Sequence, residues 1–361
     1  MKKIKLLFII FFCLIISLPF LFMDRKSAIS EKENRVLASF PDFSVFNMNY
    51  VPKSLDNYIN DRFGFRNIFV KLAKTFISAS SYINGDVIIG KENWLFYSNK
   101  VDGNNIADFF KLNLFNDDQI RIFINIINDR IEWCNNNDIK FIFLIAPNKH
   151  SVYPEYYPFE RPEGINRTEQ IMAAMPDNLK INIIYPCDIL IKNKTEKLPV
   201  YSETDTHWNM AGAYCVFEAL LDRLKYLFPE TLFPKIDFTT DISYDSLGEI
   251  VPMLGFSEYG KRTIPNMYPA NGWSNYYQYE KNNGLHGVNG IIIKNNDSSL
   301  PKAIIFRDSF FIALEPFTST IFSSAEYNWR SFTEADKDYI LENKPDIIIW
   351  ETVERYIGNI R

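Results

Sequence analysis

Of the three histidines in the chain, His150, His207 and His286, only His207 has a carboxylate at short spacing. Asp205 precedes it in Thr204-Asp205-Thr206-His207-Trp208-Asn209. In an extended segment, residues i and i+2 project to the same side. A carboxylate there holds the proton of one ring nitrogen and leaves the other free as a base. A helix cap followed by a surface histidine would show the same spacing, and Asp and His are both zinc ligands. No HxH, HExxH or cysteine cluster supplies further ligands, so no metal is expected. A nucleophile for such a base stands in Arg307-Asp308-Ser309-Phe310, between the apolar runs Lys302–Phe306 and Phe311–Leu314. A serine at a strand-to-helix turn stands at the carboxyl edge of a sheet, where α/β enzymes place their sites. The free N–H groups of a helix start suit a developing oxyanion. Asp308 or Ser309 would also serve as an ordinary N-cap. A second chemically equipped strand-to-helix junction, at Asp205 and His207, tips the reading toward a nucleophile and its base.

The elements that must bring these residues together are legible as alternating patterns. Asp117 to Asn136 carries Ile120, Phe123, Ile127, Ile131 and Cys134 at spacings of three and four, which predicts a helix with one apolar face. Phe141 to Ala146 is a continuous apolar run closed by Pro147, as in a buried parallel strand. Ile181–Tyr185, Lys302–Phe306 and Asp346–Trp350 repeat that form, while Met210–Leu227 and Thr333–Asn343 read as helices. The alternation predicts an α/β fold, a parallel sheet with helices on both faces. From about 228 to 300 the regularity lapses into a stretch holding Gly284-Leu285-His286-Gly287, which reads as an insertion at the rim of the sheet. Residues 27–110 read as an irregular N-terminal segment with an amphipathic helix near 54–83, and 111–361 as the main domain.

Composition narrows the class. The 361 residues are 47% hydrophobic and 23% charged, which supports a full core, and the net charge of −5 argues against a nucleic-acid partner. The cysteines at 13, 134, 187 and 215 show no pairing pattern; free thiols are expected, with a single bridge as the alternative. Lys2, Lys3 and Lys5 precede an uncharged run from Leu6 to Met23. Its length lies within the ~17–25 residues of a spanning helix, so residues 1–26 are expected to form an uncleaved transmembrane anchor. Export of the remainder follows, with the domain facing the periplasm or cell exterior from the cytoplasmic membrane. A cleaved signal peptide is the alternative.

Asp-x-His-Trp first and Asp-Ser-Phe after a late strand resembles the SGNH-type acetyltransferases of the AlgJ/AlgX family, in which the usual serine-first order is permuted. Further segments match in order: Glu33-Asn34-Arg35, Asp61 to Arg66, Gly90 to Tyr97, Pro147-Asn148-Lys149 through Tyr153-Pro154, and Phe306 through Phe310 with Pro316-Phe317. The resemblance implies a permuted SGNH-like sheet, a triad of Asp205, His207 and Ser309, and acetylation of an exported polysaccharide through an acetyl-serine. It also implies a multi-spanning membrane O-acyltransferase as donor partner, and no cofactor. Asn148, Lys149, Tyr153 and Arg307 are candidates for the oxyanion pocket or for gripping an acidic glycan. Arg307 stands where most SGNH hydrolases have glycine, so the oxyanion pocket is expected to be built differently. The chain is expected to be of the AlgJ type, without a C-terminal carbohydrate-binding module. An acetylesterase using the same three residues, and a non-catalytic glycan-binding scaffold, are the competing readings.

Overall fold

The structure, a computed structural model, describes residues 2–26, 29–30, 35–41, 51–65, 82–255, 258–280 and 290–360. The chain divides into two compact units, residues 1–82 with 251–258, and residues 83–250 with 259–361.

The first unit contains helices Lys2–Leu21 and Val51–Arg62 and a short antiparallel pair, Ile29–Ser30 with Arg35–Val36. Asp61 and Arg62 serve the backbone here. The Asp61 carboxylate accepts from the Ala38 N–H at 2.8 Å, and the Arg62 guanidinium donates to the carbonyls of Ala38 and Asp24 at 3.1 and 2.9 Å. The expected amphipathic helix at 54–83 is thus observed as Val51–Arg62, with 66–81 outside the described residues. Glu33, Asn34, Arg66 and the stretch around His286 also lie outside them. The expected spanning helix coincides with Lys2–Leu21. Part of that helix has no described side chains, and among the described residues no helix is long and apolar enough to cross a membrane.

The second unit is built on a seven-stranded sheet. In chain order its strands are β1 (Lys140–Ala146), β2 (Ile183–Ile184), β3 (Tyr277–Glu280), β4 (Gly290–Asn295), β5 (Lys302–Phe306), β6 (Ser324–Asn328) and β7 (Ile347–Val353). They lie in the order β3-β4-β6-β5-β7-β1-β2. The five strands from β6 to β2 are parallel, as the apolar runs predict. The expectation of a wholly parallel sheet is corrected at one edge, where β3 and β4 run antiparallel. Both come from the stretch read as an irregular insertion, which also forms an antiparallel ribbon, Phe238–Asp245 with Arg262–Pro269. Exposure along the first ribbon strand removes the apolar signal that would mark a strand in sequence.

Two cores form because strand side chains alternate between faces. Ile142, Leu144, Ile305, Ile347 and Ile349 pack on helix α2 (Met210–Leu227) through Val216, Phe217 and Leu220. Phe141, Phe143, Ile304, Phe306 and Trp350 pack on helix α1 (Asp117–Asn135) through Phe123, Ile127, Ile131 and Cys134. Helix α1 begins in a capping box, Asn116 with Gln119, which satisfies two otherwise free donors at its first turn. With both faces covered, strand residues on either side are apolar, and 141–146 is buried throughout. The four cysteines are free.

Candidate active site

The sheet delivers the two halves of the site at its carboxyl edge. Strand β5 ends at Phe306, and Ser309 opens a five-residue 3-10 turn, Ser309–Ala313, where a strand-to-helix turn is expected from sequence. Asp308 fixes this turn at three points. Its side chain accepts from the Phe310 N–H at 2.8 Å and from the Val353 N–H at 2.7 Å, and its own N–H donates to Glu351 at 2.9 Å. With the Phe310 N–H taken, the Ser309 N–H is the leading amide that the cap leaves over. Glu351 is buried at the end of β7, and burial together with the Asp308 charge holds its carboxyl well above the usual carboxylate range. A protonated Glu351 avoids placing two like charges side by side.

The other half is the loop before α2. Asn209 caps that helix by accepting from the Ala211 and Gly212 N–H groups, which sets where the loop ends. Trp208, buried, donates its indole N–H to the Phe310 carbonyl at 2.8 Å and meets the Phe310 ring edge-on at 5.4 Å. The residue after the histidine therefore clamps the loop to the residue after the serine. In the result, His207 Nε2 lies 2.7 Å from Ser309 Oγ, and His207 Nδ1 lies 3.0 Å from Asp205 Oδ1.

A second carboxylate shares the imidazole. Glu249 Oε1 is 3.2 Å from His207 Nδ1. Nothing local in the sequence marks Glu249, which lies 42 positions beyond His207 within the stretch read as irregular. Its placement depends on Gly248, where an added Cβ would come within 2.2 Å of the Thr204 carbonyl. Thr204 also donates its hydroxyl to the Leu247 carbonyl at 3.0 Å, and the Ile250 N–H donates to the Thr204 carbonyl at 3.3 Å. Burial by itself would lower the His207 imidazole, but hydrogen bonds to Asp205 and Glu249 outweigh it and raise it to about 9. Burial acts upward on Asp205 and is outweighed by its bonds to His207, so its carboxyl lies below the ordinary value. Arg262 stands 3.7 Å from the far oxygen of Asp205. Donor atoms of Asp205, His207 and Glu249 lie within 4.8 Å of one another, so the same trio has the types and spacing of a metal-ligand set.

The remaining candidates separate. Lys149 is buried and its ammonium donates to the carbonyls of Leu95, Ser202, Glu203 and Asp205 at 2.8, 2.6, 2.8 and 2.9 Å. A cation so engaged props the loop and does not face a substrate. Tyr153 is buried with its hydroxyl accepting from the Val200 N–H at 3.0 Å. Arg307 is buried in an ion pair with Glu315 at 2.5 Å and packs against the Trp329 ring. Asn148 differs, since both polar atoms of its buried side chain lack a hydrogen-bond partner. Among the other histidines, His150 is buried between Phe109 and Tyr157, and burial pushes its imidazole down to about 3, which leaves it neutral. Arg355, also missed in sequence, is buried with its guanidinium 5.5 Å from the centre of the Phe310 ring.

Residues 87–281 match the family model described as SGNH hydrolase-like domain, acetyltransferase AlgX, which spans more than half of the chain. The chain belongs to the AlgX family of SGNH hydrolase-like acetyltransferase domains. The matched stretch holds Asp205, His207 and Glu249 and ends before Ser309, so the geometry at Ser309 is an observation separate from the AlgX match. No curated protein sequence matches the chain. Among solved structures, Bacillus cereus PatB1 is similar with a TM-score of 0.57 at 15% identity, over 76% of this chain and 97% of that one. A DHHW family protein from Eubacterium siraeum gives 0.50 at 12% identity, over 76% of this chain and 93% of that one. The O-acetyltransferase domain of Pseudomonas putida AlgJ gives 0.47 at 14% identity, with 76% and 93% covered. At these identities PatB1 and the DHHW protein show that the AlgX-type fold is shared, and nothing finer.

Proposed function

We propose that the protein transfers acetyl groups to hydroxyls of an exported polysaccharide through an acetyl-Ser309 intermediate. The observation that carries this reading is the continuous chain from Ser309 Oγ through the His207 ring to Asp205, with links of 2.7 and 3.0 Å. His207 Nε2 takes the serine proton as Oγ bonds to the carbonyl carbon of an acetyl donor. The donor's leaving group departs with that proton. A sugar hydroxyl then gives its proton to Nε2 and attacks the acetyl carbon, and Ser309 Oγ leaves and is reprotonated. Asp205 and Glu249 hold the imidazole with Nδ1 protonated and stabilise the cation formed in each half-reaction. The Ser309 N–H is the first oxyanion donor, and among Asn148, Lys149, Tyr153 and Arg307 the unpaired Asn148 amide is the one left free for such a role. The apolar N-terminal run anchors the chain in the cytoplasmic membrane with the domain outside. A multi-spanning membrane O-acyltransferase supplies acetyl groups there. The AlgX-family match supports transfer over hydrolysis by an esterase. A glycan-binding scaffold would need no aligned serine and imidazole.

The test supplies an activated acetyl ester to the purified protein, with and without oligosaccharides, and locates the acetyl group by mass spectrometry. Acetyl on Ser309 and then on sugar is expected; release to water alone, whatever glycan is present, makes the protein an esterase. Dialysis against EDTA is expected to leave turnover unchanged. Loss restored by zinc would assign Asp205, His207 and Glu249 to a metal instead.

The pH profile follows from the two carboxylates. Neutral His207 is the form that accepts the serine proton, and with the imidazole at about 9 most of it is protonated near neutrality. The kcat/KM for the ester therefore rises with pH up to about 9, by about tenfold per unit well below that point. Glu249→Gln removes one of the two stabilising charges and moves the midpoint down. A midpoint unchanged in Glu249→Gln would show that Glu249 does not act on the imidazole.

A further inference from the structure

A cavity of about 710 Å³ has walls that include Glu92, Trp94, Tyr156, Glu196, Glu203 and Lys261. Two of these residues adjoin the charged network in the chain. Glu203 stands two positions before Asp205, and Lys261 immediately precedes Arg262. The catalytic mechanism above uses none of the wall residues.

The cavity has an aromatic side and an acidic side. Trp94 and Tyr156 stack in parallel, with ring centres 4.4 Å apart and planes inclined by 3°. Trp94 is buried, so Tyr156 is the outer ring of the stack. Below Trp94 lies the Lys149 ammonium, 4.9 Å from the ring centre, which fixes the stack from beneath. Burial raises the Tyr156 hydroxyl above its ordinary value, and the negative charges of Glu92, Glu155, Glu196 and Glu203 act in the same direction. The cations of the cavity are already engaged. Lys194 pairs with Glu155 at 2.7 Å and donates to the Val152 carbonyl at 2.5 Å, and Lys261 lies 3.8 Å from the centre of the Tyr244 ring. Glu203 is held by the Thr263 N–H and hydroxyl at 2.7 and 2.6 Å. Glu92 and Glu196 have no ion-pair partner among the described residues, and the lining sets the glutamates Glu92, Glu155, Glu196 and Glu203 against the lysines Lys194 and Lys261, so it is net negative.

The backbone at the rim is strained in the same place. Glu92 and Asn93 are consecutive non-glycine residues with φ of 54° and 64°, a conformation that favours glycine or asparagine. Such strain persists where surrounding structure enforces it, and it gathers at ligand clamps. Gly90 and Gly260 allow the turn to close in, since a Cβ on the first would lie 2.3 Å from the Tyr156 carbonyl and on the second 3.2 Å from Asn93 Cβ.

We infer that this cavity is an acceptor subsite for a glycan without acidic groups, one built of neutral or amino sugars. The inference rests on, and narrows, the acyl-transfer reading. A flat aromatic face packs against the apolar face of a sugar ring, and carboxylates accept hydrogen bonds from its hydroxyl or ammonium groups. The same carboxylates repel a uronic-acid polymer. An acidic glycan, one of the two roles open to Lys149 and Arg307 in sequence, has no free cation from either of them, because Lys149 is buried against backbone carbonyls and Arg307 is buried in an ion pair with Glu315.

The test measures binding calorimetrically on the full chain at low salt with no acyl donor present. The probes are hexamers of β-1,4-linked glucosamine, of N-acetylglucosamine and of a uronic acid. One of the two non-acidic hexamers is expected to bind at least about tenfold tighter than the uronate, which the repulsion of two unpaired carboxylates supports. Tyr156→Ala is expected to weaken that binding about tenfold or more. Glu196→Gln, an exposed change that does not threaten folding, is expected to narrow the preference against uronate. Uronate bound as tightly as the others, binding of no hexamer, or a preference unmoved by Glu196→Gln overturns the inference. Since no acyl donor is present, these outcomes leave the acetyl-ester experiment standing, and failure of that experiment leaves the binding result standing.

Discussion

Ser309→Ala is expected to lower acetyl-ester turnover by roughly 10⁴-fold or more, with the fold and any glycan binding retained. The size follows from what the serine does in the site. In the proposed mechanism its oxygen bonds to the acetyl carbon, and the 2.7 Å contact to His207 Nε2 is the path by which its proton leaves. Alanine removes both functions and leaves only binding and the oxyanion donors. The remaining members act as a unit, so His207→Ala should cost about as much, and the double variant little more than either single one. Steady-state kinetics on the ester checks this, with mass spectrometry of the intact protein to show whether an acetyl adduct still forms. Turnover within tenfold of the parent chain would remove Ser309 from the mechanism. An acetyl adduct persisting in Ser309→Ala would place the nucleophile elsewhere.

Much of this arrangement was legible in the sequence because it is encoded locally. The run Phe141–Ala146 is apolar at every position because both faces of β1 are covered, and so it reads as a parallel strand. The periodicity of Asp117–Asn136 reports the one face of α1 that packs on that strand. Asp205 and His207 could be paired in sequence because two residues of loop bring them together without help from the fold. Glu249 could not, since its approach to His207 depends on the close packing of Gly248 against Thr204, a contact between loops with no periodic signature. The antiparallel edge was missed for a related reason. Strands β3 and β4 lie in a region of Asn, Gly and Tyr, and they extend a sheet that the neighbouring apolar strands have already specified. Strand β6, Ser324–Asn328, carries Glu326 on a buried position, which interrupts the apolar run that marks its neighbours.

Lys149 shows how a charge read from sequence as substrate-facing turns out to support the loop, and the two roles predict different outcomes for Lys149→Met. A residue that grips a substrate can be replaced with a higher KM and an unchanged fold. In the structure, however, the ammonium gathers carbonyls from two separate stretches of chain, Leu95 on one side and Ser202, Glu203 and Asp205 on the other. Burial pushes it down to about 7, with the charges of Asp205, Glu203 and Glu249 acting in the opposite direction. Four converging carbonyls favour a group with only donors to offer, which is what the ammonium supplies. Methionine matches its length and not its hydrogen bonds, so buried acceptors lose their partner at about 1–3 kcal/mol each where no water replaces it. The expected loss of stability is about 3 kcal/mol or more, read as a lower denaturation midpoint in urea. Activity should fall as well, by about 10²-fold in kcat, because the carbonyl of Asp205 is one of the four and a shift of about 1 Å in its carboxylate misaligns His207. A Lys149→Met protein of undiminished stability, with its defect confined to KM, would return Lys149 to the substrate and detach it from the support of the catalytic loop.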